Sequence, residues 1–213
     1  MEMKDPLTIG VLLALAWCVA GLALAWRGAL AFGPKRYRSR PAGDASRGVV
    51  YAFGEGMLPG AKESVRTHLG SWGAGVLFHL GTFSALALLA LGLTGWAVPR
   101  SITSALGGLA LAGAACGLFL LARRAASPDL RSFSVPDDFV SNLLTTGFSA
   151  VAGLMAFGLL KAAALEVSAV ALLLYLPLGK IRHCVFFFPT RYFFGTYFGR
   201  RGVLPPAGRA PRG

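Results

Sequence analysis

Residues 67–91, THLGSWGAGVLFHLGTFSALALLAL, run for 25 residues without one charged side chain. A helix needs about 20 apolar residues to cross the hydrocarbon core of a bilayer, so the stretch predicts a membrane-spanning helix. It also carries two of the chain's three histidines, His68 and His79. At 3.6 residues per turn their spacing is three turns plus about 20°, which predicts imidazoles on one helix face, about 16 Å apart in height. An ionisable ring at membrane depth is costly and marks a candidate functional site by itself.

The rest of the chain repeats the pattern. Apolar residues make up 55% of the 213 and charged residues 14%, with a mean hydropathy of +0.61. Such a composition belongs to membrane proteins and suits about five spans of roughly 20 residues. The spans fall at about 7–32, 70–95, 102–122, 139–160 and 167–188. The expected fold is therefore all-α, an integral membrane bundle of five transmembrane helices in one domain over 1–203. A disordered Pro/Gly/Arg tail at 204–213 follows. No cleavable signal peptide is expected: the first apolar run is too long for an h-region, and Lys4 is balanced by Glu2 and Asp5.

Connections carry the polar chemistry. Gly33–Arg66 reads as a polar linker whose later part starts a surface helix at Pro59. The third span is rich in Gly and Ala, which lets helices approach closely. Ser127 before Pro128 and Ser134 before Pro136 have the chemistry of helix starts. Lys161 to Glu166 reads as a brief turn, and PTRYFFGTYFGRR as an aromatic-basic interfacial segment.

Orientation follows from the basic residues. The linker holds seven (Lys35, Arg36, Arg38, Arg40, Arg47, Lys62, Arg66), the third loop Arg123, Arg124 and Arg131, and the tail Arg191, Arg200, Arg201, Arg209 and Arg212. Against these fifteen the other side has Lys4, Arg100 and Lys161. The asymmetry puts the N-terminus outside and the C-terminus in the cytoplasm. It accounts for the net charge of +12 without a nucleic-acid partner.

Cys18, Cys116 and Cys184 lie scattered in apolar segments as small buried hydrophobes, encoding neither an iron–sulfur cluster nor a closed zinc site. No HExxH, GxSxG or phosphate loop is present, so a stand-alone hydrolase is not expected. The histidines remain. Depth permits His79 or His68 to pair across helices with His183, and two facing imidazoles can hold a haem. Gly73, Gly75 and Gly81 around His79 would give a porphyrin room. Each histidine could instead hydrogen-bond a neighbouring helix, and His68, near Lys62 and Arg66, reads as a solvated interface residue. Lys180 and Arg182, within an apolar run, need anionic company: haem propionates, phospholipid headgroups or Asp137 and Asp138.

LFHLG in the second span, RRAASPDLRSFSVPDDF between the third and fourth, and PLGKIRHCVFFFPTRYFFGTYFGRRG at the end resemble the nitrate reductase gamma-subunit superfamily. That superfamily includes the membrane cytochromes of heterodisulfide reductase and of dissimilatory sulfite-reductase-linked complexes. The similarity covers about 50–203. It implies a membrane cytochrome b of a respiratory chain, with haem b held by histidines of the second and fifth helices. Such a subunit exchanges electrons between the quinone pool and a cytoplasmic iron–sulfur protein. His79 matches the inner histidine of the second helix. Leu89 stands where the nitrate reductase branch has its second histidine, and Phe194, three after Arg191, where the last helix has one. Three histidines allow one bis-histidine haem or none.

The expectation is thus a quinone oxidoreductase subunit in a bacterial or archaeal cytoplasmic membrane, ligating haem through His79 and His183. His68, Lys180 and Arg182 would lie near a quinone or propionate site. The rival is a haem-free membrane anchor that docks a soluble redox protein. A small transporter is weaker, with no inverted repeat and no intramembrane carboxylate pair.

Overall fold

A computed structural model describes residues 5–31, 39–61 and 63–204, with backbone alone at 63 and 64. Glu2, Lys4, Lys35, Arg36, Arg38, Lys62 and the tail from 205 onward lie outside the described residues. In chain order the helices are α1 (Pro6–Leu30), α2 (Ala45–Phe53), α3 (Glu63–Arg66), α4 (Leu69–Thr94), α5 (Arg100–Ala126), α6 (Pro128–Ser132), α7 (Pro136–Ala156), α8 (Ala162–Tyr175) and α9 (His183–Arg200). There is no strand among the described residues.

Four of these, α1, α4, α5 and α7, are long and apolar enough to cross a membrane. The count reaches five if α8 and the segment Lys180–Arg200 are taken as one broken span. The expected continuous fifth helix over 167–188 is thus two helices. Pro177 has no N–H to give the ladder, and Leu178 and Gly179 close the end of α8 onto the Tyr175 carbonyl at 2.9 and 3.0 Å. The chain resumes as a single turn of 3-10 helix, Lys180–Arg182, before α9.

The chain forms two compact units. The first is Met1–Ala23 with Gly70–Arg182, and the second is Leu24–Leu69 with His183–Gly213.

In the first unit, small residues set the packing. A methyl built on Gly81 of α4 would lie 2.6 Å from the Gly113 Cα of α5, and the reverse holds. On Gly117 it would meet the Phe78 ring at 2.7 Å, and on Gly153 of α7 the Leu111 side chain at 2.5 Å. The expected close approach at the Gly/Ala-rich third helix is therefore realised on both of its sides. Val11, Ala85, Leu88, Phe148, Leu165 and Leu172 fill the core between. Helices α1 and α8 run side by side, tied by Trp17 Nε1 donating to the Leu174 carbonyl at 3.1 Å.

Glu166 corrects the expected turn at 161–166. Helix α8 begins at Ala162, because three alanines and a leucine favour helix there, so Glu166 lies inside it and is buried. The Thr8 hydroxyl donates to its Oε1 at 3.0 Å.

The second unit is built on α2 against α9. Helix α2 falls in the stretch read as a polar linker. Asp44 starts it, accepting from the Ser46 and Arg47 amides at 2.8 and 3.3 Å. The surface helix expected from Pro59 is reduced to 3-10 turns at Glu55–Met57 and Pro59–Ala61 and to the short α3. Helix α9 lies across α2 through glycines: a methyl on Gly199 would sit 2.6 Å from the Asp44 carbonyl, and on Gly48 2.5 Å from the Gly199 Cα. Cys184, expected to be buried, is exposed in the first turn of α9.

Candidate functional site

Helix α4 buries one face, with Gly81, Ser84, Ala85, Leu88 and Leu89 in the packing. His79 is exposed on the other, in line with Trp72, Val76 and Phe83 at helical spacing. Its Nδ1 lies 2.7 Å from the carbonyl oxygen of Gly75, one turn back. A carbonyl can only accept, so Nδ1 carries the proton and Nε2 of the neutral ring is the basic nitrogen. The preceding Phe78 meets the imidazole edge-to-face at 6.0 Å.

Of the three glycines expected to give room, Gly73 and Gly75 do so: a methyl on either meets nothing within 4 Å. Gly81 does not. Its space is taken by Gly113 and the Leu109 carbonyl of α5. Leu89, at the position of the resembled second histidine, is buried in the core at 7% exposure.

His68 departs from expectation. It precedes α4, in an exposed turn closed by its own N–H to the Val65 carbonyl at 3.0 Å. Its Nδ1 is 2.9 Å from the Thr67 hydroxyl. The helical spacing that put it on the face of His79 does not apply, because the helix starts one residue later. His183 is the first residue of α9 and is exposed. His79 belongs to the first unit, and His68 and His183 to the second.

The anionic company of Lys180 is defined. Its Nζ meets Asp138 Oδ1 at 2.7 Å, and its backbone N–H donates to Asp137 Oδ2 at 2.9 Å. Asp137 Oδ1 also accepts from Tyr175 at 2.5 Å and from Ser141 at 2.8 Å. Asp138 reaches back to the Val135 amide at 2.9 Å, closing the start of α7, where Ser134 was expected to act. Ser134 instead accepts from Arg124 at 2.8 Å, and Arg124 stands 3.8 Å from Asp138. The first turn of α7 thereby fastens the end of α5 and the break after α8. Sequence spacing alone gave no link between Tyr175 and Asp137. Arg182 is exposed and forms no ion pair among the described residues.

Several helices long and apolar enough to cross a membrane point to a multi-pass membrane protein, and helix is the regular structure of the described residues. Comparison with protein-family models, curated proteins and solved structures finds no match.

Proposed function

We propose that the chain is a membrane cytochrome b-like subunit of a multi-subunit redox complex in a bacterial or archaeal cytoplasmic membrane. It passes electrons between the quinone pool and a cytoplasmic iron–sulfur protein, with its N-terminus outside and its C-terminus in the cytoplasm. The observation that carries this is His79: an imidazole in a membrane-length apolar helix, on the face away from the core, with Nδ1 held by the Gly75 carbonyl. Metal-bound histidines are oriented by such a second bond, which fixes the tautomer and raises the basicity of the ligating nitrogen. Gly75, one turn back, leaves open space beside the ring.

His79 and His183 are the imidazole donors that would hold a b haem. The haem, when bound, supplies a one-electron carrier. Arg182 would meet an anionic propionate, since Lys180 is already paired with Asp138; a quinone or propionate site is the role that His68, Lys180 and Arg182 would share.

The test is a dithionite-reduced minus oxidised spectrum of the purified chain, beside His79→Ala and His183→Ala. A b-type alpha band in the wild type, absent from both variants, is expected. Folded wild-type protein with no band after expression with ample haem refutes the proposal and leaves a haem-free anchor for a soluble redox protein.

A further inference from the structure

We infer that the α2–α9 unit is a docking surface for anionic phospholipid headgroups. In sequence, the two stretches that contribute this unit, residues 24–69 and 183–213, hold 13 of the 21 Lys/Arg and 3 of the 9 Asp/Glu, a net +10 of the total +12, and Arg40, Arg47, Arg66, Arg191, Arg200 and Arg201 are among its described residues. One of the three acids, Asp44, is spent on the α2 amides.

The glycine seam presses the two backbones together, so the large side chains of both helices turn outward. On α9, Phe188 is 63% and Tyr192 52% exposed, and on α2, Val50 is 73% exposed. Guanidinium groups lie among these rings. Arg191 sits over Phe187 at 5.7 Å and Arg201 over Tyr197 at 4.1 Å, while Arg47 stands exposed one turn before Val50. The rings beneath Arg191 and Arg201 hold those two cations at the height of the aromatic layer.

Aromatic and aliphatic side chains interleaved with arginine match the boundary between headgroups and acyl chains. An acidic soluble protein would meet the charges but would leave Val50 and Phe188 without apolar cover. Phosphate on a lipid surface satisfies both, with the rings and Val50 in the acyl boundary and the guanidinium groups on the phosphates.

The experiment uses the full chain purified in a neutral detergent and equilibrated with micelles holding equal phosphatidylglycerol and phosphatidylcholine. Lipid retained after gel filtration is counted by mass spectrometry. Enrichment of phosphatidylglycerol is expected, falling about fivefold for each guanidinium removed in Arg191→Gln, Arg201→Gln and Arg47→Gln. Arg100→Gln in the first unit should leave it unchanged. Raising the salt in the wild type gives the same loss without mutation, which decides the matter if a variant misfolds. Equal retention of both lipids, or enrichment that survives salt, overturns the inference. So does salt-sensitive capture of polyglutamate without lipid preference, which assigns the surface to an acidic protein.

Discussion

Two glycines of α5, five residues apart in sequence, should respond to the same mutation with opposite sign. At Gly113 an added methyl would fall 2.6 Å from the Gly81 Cα, 3.1 Å from the Leu77 carbonyl and 3.2 Å from the Gly81 nitrogen. All three atoms are backbone, so no rotamer change relieves the overlap and α4 must move off α5. Overpacking of this kind costs about 1–3 kcal/mol. At Gly108 the methyl meets nothing within 4 Å and the residue is exposed, so alanine contributes only its helix preference, up to about 1 kcal/mol. That same preference acts at Gly113 and offsets part of the clash. Gly108→Ala should therefore raise the midpoint of thermal unfolding in detergent, followed by circular dichroism, and Gly113→Ala should lower it. The two variants should differ by about 1–3 kcal/mol, the overpacking term alone. Two shifts of equal sign and size would refute the glycine contact as the reason α4 and α5 approach so closely.

Three further outcomes follow from single contacts. Thr8→Val, which keeps the shape but removes the donor to buried Glu166, should cost about 2 kcal/mol, and Thr8→Ser should restore most of it in the same unfolding assay. Asp44→Ala should cost about 1 kcal/mol by uncapping α2, with Asp44→Ser near wild type. Tyr175→Phe and Asp137→Asn should each lower the unfolding midpoint. Asp137→Asn, which also disturbs the bonds from Ser141 and the Lys180 N–H, should be the larger loss, and adding Tyr175→Phe to it should cost less than Tyr175→Phe alone, since the two share a bond; fully additive losses would show that Tyr175 and Asp137 act separately.

The spans at 7–32, 70–95 and 102–122 were legible because length and uninterrupted apolarity are what a bilayer asks of a helix, and α1, α4 and α5 agree with them to within a few residues. The interruption at 176–179 was harder to read. Apolar residues continue across it, so hydropathy sees one run, while Pro177 and the pull of Asp137 on Lys180 break the helix. Helix α2 was missed for a different reason. Its sequence ASRGVVYAF is apolar at six of nine positions but is far too short to read as a span, and it packs through Gly48 onto Gly195 and Gly199. A contact made by glycines puts no bulky apolar side chain on the buried face; the start signal on offer was Asp44, which caps the Ser46 and Arg47 amides.

At the candidate site, residue type was legible and geometry was not. Helical spacing predicts which residues share a face only where one helix contains them both, and α4 begins one residue after His68. Spacing also says nothing of which face turns inward. Glu166, placed in a turn when read from its charge, is inside a helix and buried, whereas His79, central in its apolar run, is exposed. The difference lies in neighbours far away in sequence. Glu166 has a hydroxyl from Thr8, 158 residues before it, which makes burial of a carboxylate tolerable. His79 has the Gly75 carbonyl, one turn back in its own helix, as the acceptor for Nδ1. A side chain bonded within its own helix can sit on an exposed face, whereas a buried carboxylate must draw its donor from elsewhere in the fold.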